Sequence, residues 1–410
     1  MKLKLCFKAK EGDFLKIYGV VAEFNPFHNG HQHLINQIKT DSDSAVVAVM
    51  SGNFVQRGEP AIISKFARAK AAILCGADLV LELPLPYSIS TAMYFANGSI
   101  DVLNSLGVID TLCFGSEIGS VDPLKEIAEI LNNSDFLNVL KEQLSTGISF
   151  ASARQNAIEL FSPNIDSKPL ENPNDTLGIE YILAAKRLGM NAEIKAIKRI
   201  GAAHDSIIKS DTICSASELR KAPSVLDNKK TYMPKESFEI FSDEISAKHY
   251  ASMYLLDRAM VAHLRTLTPE KLRQAPDVSE GLENRIITAA NEFSTMSEIL
   301  TQVKSKRYTH ARLRRIILSS YLGVSSEMQK SPVPYIRVLG MSEMGEKVLS
   351  LASKHATVPL ISSLKEAEKI GQTATTFSRL EVKAGDIYSL SLQRPVGGKT
   401  EYTNKLFKTF

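Results

Sequence analysis

Residues 20–31 read Val-Val-Ala-Glu-Phe-Asn-Pro-Phe-His-Asn-Gly-His. An apolar run enters a turn built from Asn25, Pro26, Asn29 and Gly30, and a helical pattern follows through His33, Leu34, Ile35 and Ile38. A strand that turns directly into a helix N-terminus is a ready anion site, because the first turn of the helix presents unpaired N–H groups and the positive end of its dipole. Gly30 lets the backbone approach a ligand closely. The flanking His28 and His31 can donate hydrogen bonds to phosphoryl oxygens. Two other readings fit the residues: a plain strand-to-helix turn, or a metal site from His28, His31 and His33. No Cys or carboxylate sits at ligand spacing nearby, and a zinc site needs three or four ligands. Residues 17–22 before the turn are apolar throughout, as a buried parallel strand requires, and phosphate loops follow such strands.

The pattern continues. Strands are predicted at 17–22, 45–50, 78–83 and 110–114, with helices at 31–39, 62–75 and 91–106 between them. This β-α-β-α-β-α-β order predicts an α/β fold, a Rossmann-like parallel sheet with right-handed crossovers. Ligands in such sheets sit outside the carboxyl ends of the strands. A long amphipathic helix is predicted at 121–144, then helices at 150–161 and 176–188 and a strand at 192–198. Past Arg220 the chain becomes basic and polar, punctuated by Pro223 and Pro234. It then reads mainly helical from 245 to 322, and mixes short strands and helices over 333–410. The expected organisation is an extension at 1–16, a nucleotide-binding domain at 17–222 and a mainly helical C-terminal region at 223–410. No internal repeat or low-complexity tract occurs.

With 410 residues, 44% hydrophobic and 23% charged, the composition is that of a globular protein of two or three domains. No apolar run reaches membrane-spanning length, so no membrane association is expected. The Met1–Phe7 start is too short and too charged for a signal peptide. Four widely spaced cysteines (Cys6, Cys75, Cys113, Cys214) form no Cys-x-x-Cys pair. They fit reduced thiols and a cytoplasmic location. The net charge of +4 says nothing about nucleic acid, so that argument must come from local clusters.

Several segments at strand ends or helix starts carry chemistry. After the second strand, Ser51-Gly52-Asn53-Phe54-Val55-Gln56-Arg57-Gly58 is a polar loop, in which Gln56 and Arg57 suit a carboxylate or a phosphate. Lys65 and Arg68 lie one turn apart on the next helix and could face the same cleft. Gly115, after the fourth strand, would let a nucleoside lie against the backbone. Asn172-Pro173-Asn174-Asp175 reads as an Asx turn and helix cap, or as a nucleotide contact. Ser215 and Ser217 precede Arg220 across the first turn of a helix. That arrangement can cap the helix, or grip phosphates through hydroxyls, N–H groups and a guanidinium. Residues 184–235 carry 11 Lys/Arg against 5 Asp/Glu, and residues 304–315 carry six Lys/Arg and no acid. In the second cluster Lys304, Lys306, Arg307, Tyr308, Arg312 and Arg315 suit phosphate contact with base stacking, Arg312 and Arg315 being expected to point outward from a buried stripe of Leu313, Ile316, Ile317 and Tyr321. A solvated helix face is the alternative.

Together these segments resemble the bacterial tRNA(Met) cytidine acetate ligase family of the nucleotidyltransferase superfamily. The matching pieces are Glu23 through His31, Ser51 through Gly58, Asn172 through Gly178, Ile197-Lys198-Arg199 followed by His204-Asp205, Ser215 through Arg220, and Ser305 through Thr309. The resemblance spans about residues 17–400; the family's first strand starts almost at its initiator Met, so residues 1–15 depart from it. It implies ATP-dependent activation of acetate to acetyl-adenylate and transfer of acetyl to N4 of the wobble cytidine, C34, of elongator tRNA(Met), with Mg²⁺ escorting the triphosphate. It places the nucleotide site on Val21, Ala22, Glu23, Phe24, Asn25, Pro26, Phe27, His28, Asn29, Gly30, His31, Gln32, His33 and Leu34. Further contacts fall on Gly115, Asn174 and Arg199, with neighbours Asn172 and Lys198 as alternatives, and on Ser215, Ser217 and Arg220. His28, His31 and Lys65 are the expected catalytic groups, and Ser51, Gly52, Gln56 and Arg57 the expected substrate loop. Two rival functions share parts of this pattern. A small-molecule nucleotidyltransferase would not need residues 230–410, and a non-catalytic RNA-binding protein would not need the intact His28, His31 and Arg220.

Overall fold

In the computed structural model, which describes residues 15–40, 43–200, 212–227, 229–279 and 281–410, ten strands form in chain order. They are β1 (Lys16–Ala22), β2 (Ser44–Ser51), β3 (Phe54–Val55), β4 (Glu59–Pro60), β5 (Leu79–Leu83), β6 (Thr111–Ser116), β7 (Glu193–Lys198), β8 (Ile336–Met341), β9 (Leu360–Ile361) and β10 (Phe407–Lys408). The main sheet runs β10-β8-β5-β2-β1-β6-β7, with β9 beside β8. The five strands from β5 to β7 are mutually parallel. Their order reverses at β1, whose two neighbours are β2 and β6. At such a reversal the connections leave on opposite sides and open a crevice at the strands' carboxyl ends. The turn of His28 and His31 follows β1 and Gly115 is the penultimate residue of β6, so both lie on that crevice.

The strands are apolar because helices cover both faces; every residue of β2 and of β5 is buried. One face packs Phe95, Ile100 and Leu103 of helix Ala92–Leu106 with Ile179 and Ala184 of helix Pro173–Arg187. The other packs Ile35 and Ile38 of helix Asn29–Ile38 with Ala69 and Ala72 of helix Lys65–Leu74. A third core of Met260, Leu264, Ile286, Ile299, Leu313 and Ile316 builds the helical C-terminal part.

One expectation needs correction. The helix expected over 121–144 is two helices, Asp122–Leu131 and Ser134–Ser145. Asn133 ends the continuity by turning its side chain to accept the Asp135 N–H at 2.8 Å, a cap that competes with an unbroken helix. The mainly helical 223–410 part also contributes strands to the first sheet. β8 pairs antiparallel with β5 and carries β9 and β10 beyond it, because the apolar edge of β5 is covered by a strand that comes more than 250 residues later.

Candidate active site

The His turn is held from many sides. His28 is the N-cap of helix Asn29–Ile38, and its Nδ1 accepts the Gly30 N–H at 3.0 Å, while Nδ1 of His31 accepts the His28 N–H at 3.2 Å. A Cβ on Gly30 would stand 2.8 Å from Cε1 of His28, so only glycine fits beneath that ring. Phe24 adopts a φ of 46°, a conformation unfavourable for a bulky side chain. Neighbouring contacts enforce it. Asn25 Oδ1 accepts the Ile62 N–H at 2.8 Å, Asn25 O accepts Arg220 Nη1 at 2.8 Å, and Phe27 O accepts the Ser237 hydroxyl at 2.8 Å. Asn29 Nδ2 donates to Thr212 O and Thr231 O at 2.8 and 3.0 Å.

A cleft of about 560 Å³ opens over this turn. From β1 and the turn it receives Val21, Ala22, Glu23, Phe24, Asn25, His28, Gly30, His31, His33 and Leu34. From β6 and helix Pro173–Arg187 come Phe114, Gly115, Asn174, Leu177 and Tyr181. Lys198, Arg199, Ser215, Ser217 and Arg220 complete the basic wall, and Gln56, Arg57, Ala311 and Arg315 close the other side. One region thus combines an apolar nucleoside-sized wall with cations and hydroxyls around a helix N-terminus, the requirements of a nucleoside triphosphate.

Burial holds the His28 imidazole down at about 3, and the guanidinium charges of Arg199 and Arg220 add to that shift. Burial likewise holds His31 well below the usual imidazole value, helped by His28 and Arg199. Both rings are therefore neutral at pH 7. Arg220 donates to Ser217 Oγ at 3.2 Å across the first turn of helix Ala216–Arg220, where Ser215 caps the Glu218 N–H at 3.2 Å. The helix cap therefore coexists with a cleft-lining placement of Ser215, Ser217 and Arg220.

Of the two asparagines, Asn174 lines the cleft, while Asn172 donates to Asp175 Oδ2 at 2.8 Å. Arg199 and Lys198 both line it, and Lys198 Nζ reaches the Glu117 carbonyl. Glu117 organises this wall by accepting Asn174 Nδ2 at 2.5 Å and the Asp175 N–H at 3.0 Å. Its place after the β6 glycine was the available signal.

Other expected site residues lie elsewhere. Pro26, Phe27, Asn29 and Gln32 do not line the cleft. Phe27 is buried in the core, and Gln32 donates to Cys75 O at 3.0 Å. Ser51 and Gly52 are buried beneath the loop that Gln56 and Arg57 present. Lys65 is 1% exposed and pairs with Glu401 at 2.8 Å and with Glu82 at 2.5 Å, so it is a buried structural cation and not a cleft group.

In the basic cluster, Lys304, Lys306 and Arg307 are exposed as expected. Tyr308 is buried at 5% exposure, with the guanidiniums of Arg285 and Arg312 5.5 and 5.1 Å from its ring centre, so it cannot stack on a base. Arg312 and Arg315 do not point outward: both pair with Asp277, at 3.5 and 3.4 Å, and Arg315 turns into the cleft. The segment His204-Asp205 lies outside the described residues. Among the described residues, no helix is long and apolar enough to cross a membrane.

The chain matches the HIGH Nucleotidyl Transferase family over residues 15–402. It is 37% identical to the tRNA(Met) cytidine acetate ligase of Acetivibrio thermocellus, covering 96% of this chain and 99% of that one. It is 35% identical to the enzyme of the same name from Clostridium acetobutylicum, over 96% and 99%. Among solved structures it is similar to Thermotoga maritima TmcAL bound with alpha-thio ATP, with a TM-score of 0.88 at 31% identity over 96% of this chain and all of that one. The apo form of that protein gives 0.90 at 32% identity over the same shares. A match this long, running through the sheet, the His turn and the helical C-terminal part alike, means that the chain belongs to the tRNA(Met) cytidine acetate ligase family of HIGH-type nucleotidyl transferases.

Proposed function

We propose that this chain is an ATP-dependent ligase that acetylates the wobble cytidine of elongator tRNA(Met) at N4. The observation that carries the reading is the pair of neutral imidazoles beside Arg199 and Arg220 on the switch-point crevice, where a triphosphate belongs. In the first step an acetate oxygen attacks the α-phosphorus. The bond to the bridging α–β oxygen breaks, and pyrophosphate leaves with the electron pair. In the second step the cytidine N4 amine attacks the acetyl carbonyl, AMP leaves from it, and the amine loses a proton.

No protein nucleophile is required; the protein's part is positioning and charge stabilisation. Because Nδ1 of each histidine accepts a backbone N–H, each neutral ring carries its proton on Nε2. Such a ring donates to a phosphoryl oxygen without adding a charge that must later be neutralised. Arg199 and Arg220 supply the charge, and Gln56 and Arg57 offer the carboxylate partners for acetate. Magnesium accompanies the triphosphate in this reading, held chiefly by nucleotide oxygens. Glu23 and Glu171, which line the cleft, are protein oxygens of the right hardness for it. The exposed Lys304, Lys306 and Arg307 meet the tRNA backbone.

Nucleoside mass spectrometry of unmodified elongator tRNA(Met), incubated with the protein, ATP, Mg²⁺ and labelled acetate, tests the whole reading. Labelled N4-acetylcytidine at the wobble position is expected. Consumption of ATP without it would move the assignment to another acceptor.

A further inference from the structure

β1 and β2 pair in register through Val21 with Val49 and Ala22, the last residue of β1, with Met50; Ser51, the last residue of β2, pairs with Leu83 of β5, and the β1 and β2 chains then part. One goes to the His turn and the other to the loop of Gln56 and Arg57. Where two strands separate, backbone carbonyls that turn away from the ladder need other donors. Arg68, projecting from helix Lys65–Leu74 and 0% exposed, fills the gap. Its Nη1 donates to Glu23 O at 2.6 Å and to Ser51 O at 3.0 Å, its Nη2 donates to Gly52 O, and its Nε donates to Ile63 O at 3.1 Å. One planar fork therefore holds the chain at the points where β1 and β2 give way to their loops. A Lys ammonium, a point donor on a flexible stem, cannot span four carbonyls. A second tie sits above it, since Glu23 Oε1 accepts the Gln56 N–H at 2.9 Å.

We propose that Arg68 is a positioning residue that sets the separation between the His28–His31 turn and the Gln56–Arg57 loop. Through that separation it sets the alignment of the attacking carboxylate on the α-phosphate. The inference rests on the acetate-activation reading above. Arg68 touches neither reactant, so its effect passes through Glu23, Ser51 and Gly52. Burial pulls its guanidinium down to about 10, which still leaves it charged at neutral pH. The carbonyl cradle requires that charge, because charge-assisted hydrogen bonds are the strong ones. Loss of the fork lets the loops move relative to each other while each keeps its own contacts, so ATP affinity should survive and turnover should not. Displacements of this kind on the order of 1 Å cost up to about a hundredfold in rate.

The test is acetate-dependent ATP–pyrophosphate exchange by the full chain, with ATP dissociation constants measured alongside. Arg68→Lys should lower kcat about tenfold or more and move the ATP dissociation constant by less than about threefold. Arg68→Ala should lose turnover and regain it with millimolar guanidinium ion but not with methylammonium; the lysine variant guards against an alanine variant that does not fold. Wild-type kcat in Arg68→Lys overturns the inference. So does a loss in a folded Arg68→Ala protein that guanidinium does not restore, or a parallel loss of kcat and ATP affinity in Arg68→Lys. A wild-type protein without acetate-dependent exchange removes the reading itself, and the inference with it.

Discussion

The imidazoles of His28 and His31 stack with ring centres 3.9 Å apart and an interplanar angle of 25°. Each uses its Nδ1 on a backbone N–H of the same turn. Two protonated rings could not share that stack, and burial beside Arg199 and Arg220 disfavours charge on either. In the function proposed above, this turn presents two neutral N–H donors to the triphosphate.

This arrangement has a signature in stability. In the unfolded chain both rings take up protons as pH falls through about 6.5. In the folded chain His28 stays neutral down to about 3 and His31 is also held well below the usual value. The unfolded state therefore binds more protons across that window, and stability falls as pH drops below 6.5, by at most about 1.4 kcal/mol per pH unit for each ring. Urea unfolding of wild type and His28→Gln between pH 6.5 and 4 checks this. The variant should show the shallower slope, and parallel slopes would contradict the neutral ring.

Gly30→Ala should act through the histidine rather than through the helix. Its Cβ would stand 2.8 Å from Cε1 of His28, so the ring must swing out of the stack. The expected result is a fall in kcat/KM of about a hundredfold with the fold retained, read from steady-state kinetics and far-ultraviolet circular dichroism.

The cluster below Gly52 holds Glu82, Glu381 and Glu401 against Lys65 and Arg337. Arg337 Nη1 donates to Glu82 Oε2 at 2.9 Å and to Glu401 Oε2 at 2.6 Å. Three buried carboxylates face two cations, and Tyr335, also buried there, contributes no charge because burial raises its phenol well above the usual value. Burial first, and then the charge of Glu82, push the Glu381 carboxyl up to about 8. A folded-state value above the unfolded one means that the folded chain holds the extra proton. Its stabilising contribution is present below about 4.5 and fades as pH rises through 8. Glu381→Gln should flatten the melting temperature against pH between 4.5 and 8. Lys65→Met, which strands the carboxylates, should cost about 3–5 kcal/mol.

Replacement of Lys304, Lys306 and Arg307 together by alanine should weaken tRNA binding at low salt. It should reduce the slope of log affinity against log salt by about 2 if each side chain meets one phosphate. ATP–pyrophosphate exchange without tRNA should be unchanged. Filter binding across a salt series gives the first quantity and the exchange assay the second.

The alternation of strands and helices was legible because hydrophobic period and turn chemistry are local. β1, β2, β5 and β6 begin and end within about two residues of the expected bounds. The His turn was legible for the same reason: its Gly, its cap and its imidazoles lie within four consecutive residues. The choice between Asn172 and Asn174 was not, since both suit a turn and only the position of Glu117 decides which faces the cleft.

By itself, then, the sequence determined the parallel sheet, its switch-point turn and the residue types that line the cleft, all of which follow from neighbours along the chain. The tertiary structure alone decided which charges are reactive and which are structural. A lysine in a helix reads the same whether its ammonium meets solvent, substrate or a carboxylate. Lys65 meets Glu82 and Glu401, the latter 336 positions away in the numbering, and Tyr308 is capped by Arg285 and Arg312. Arg68 binds the ends of two strands that diverge only once the sheet has formed. Burial is created by surfaces that come together on folding, so no local pattern in the chain carries it.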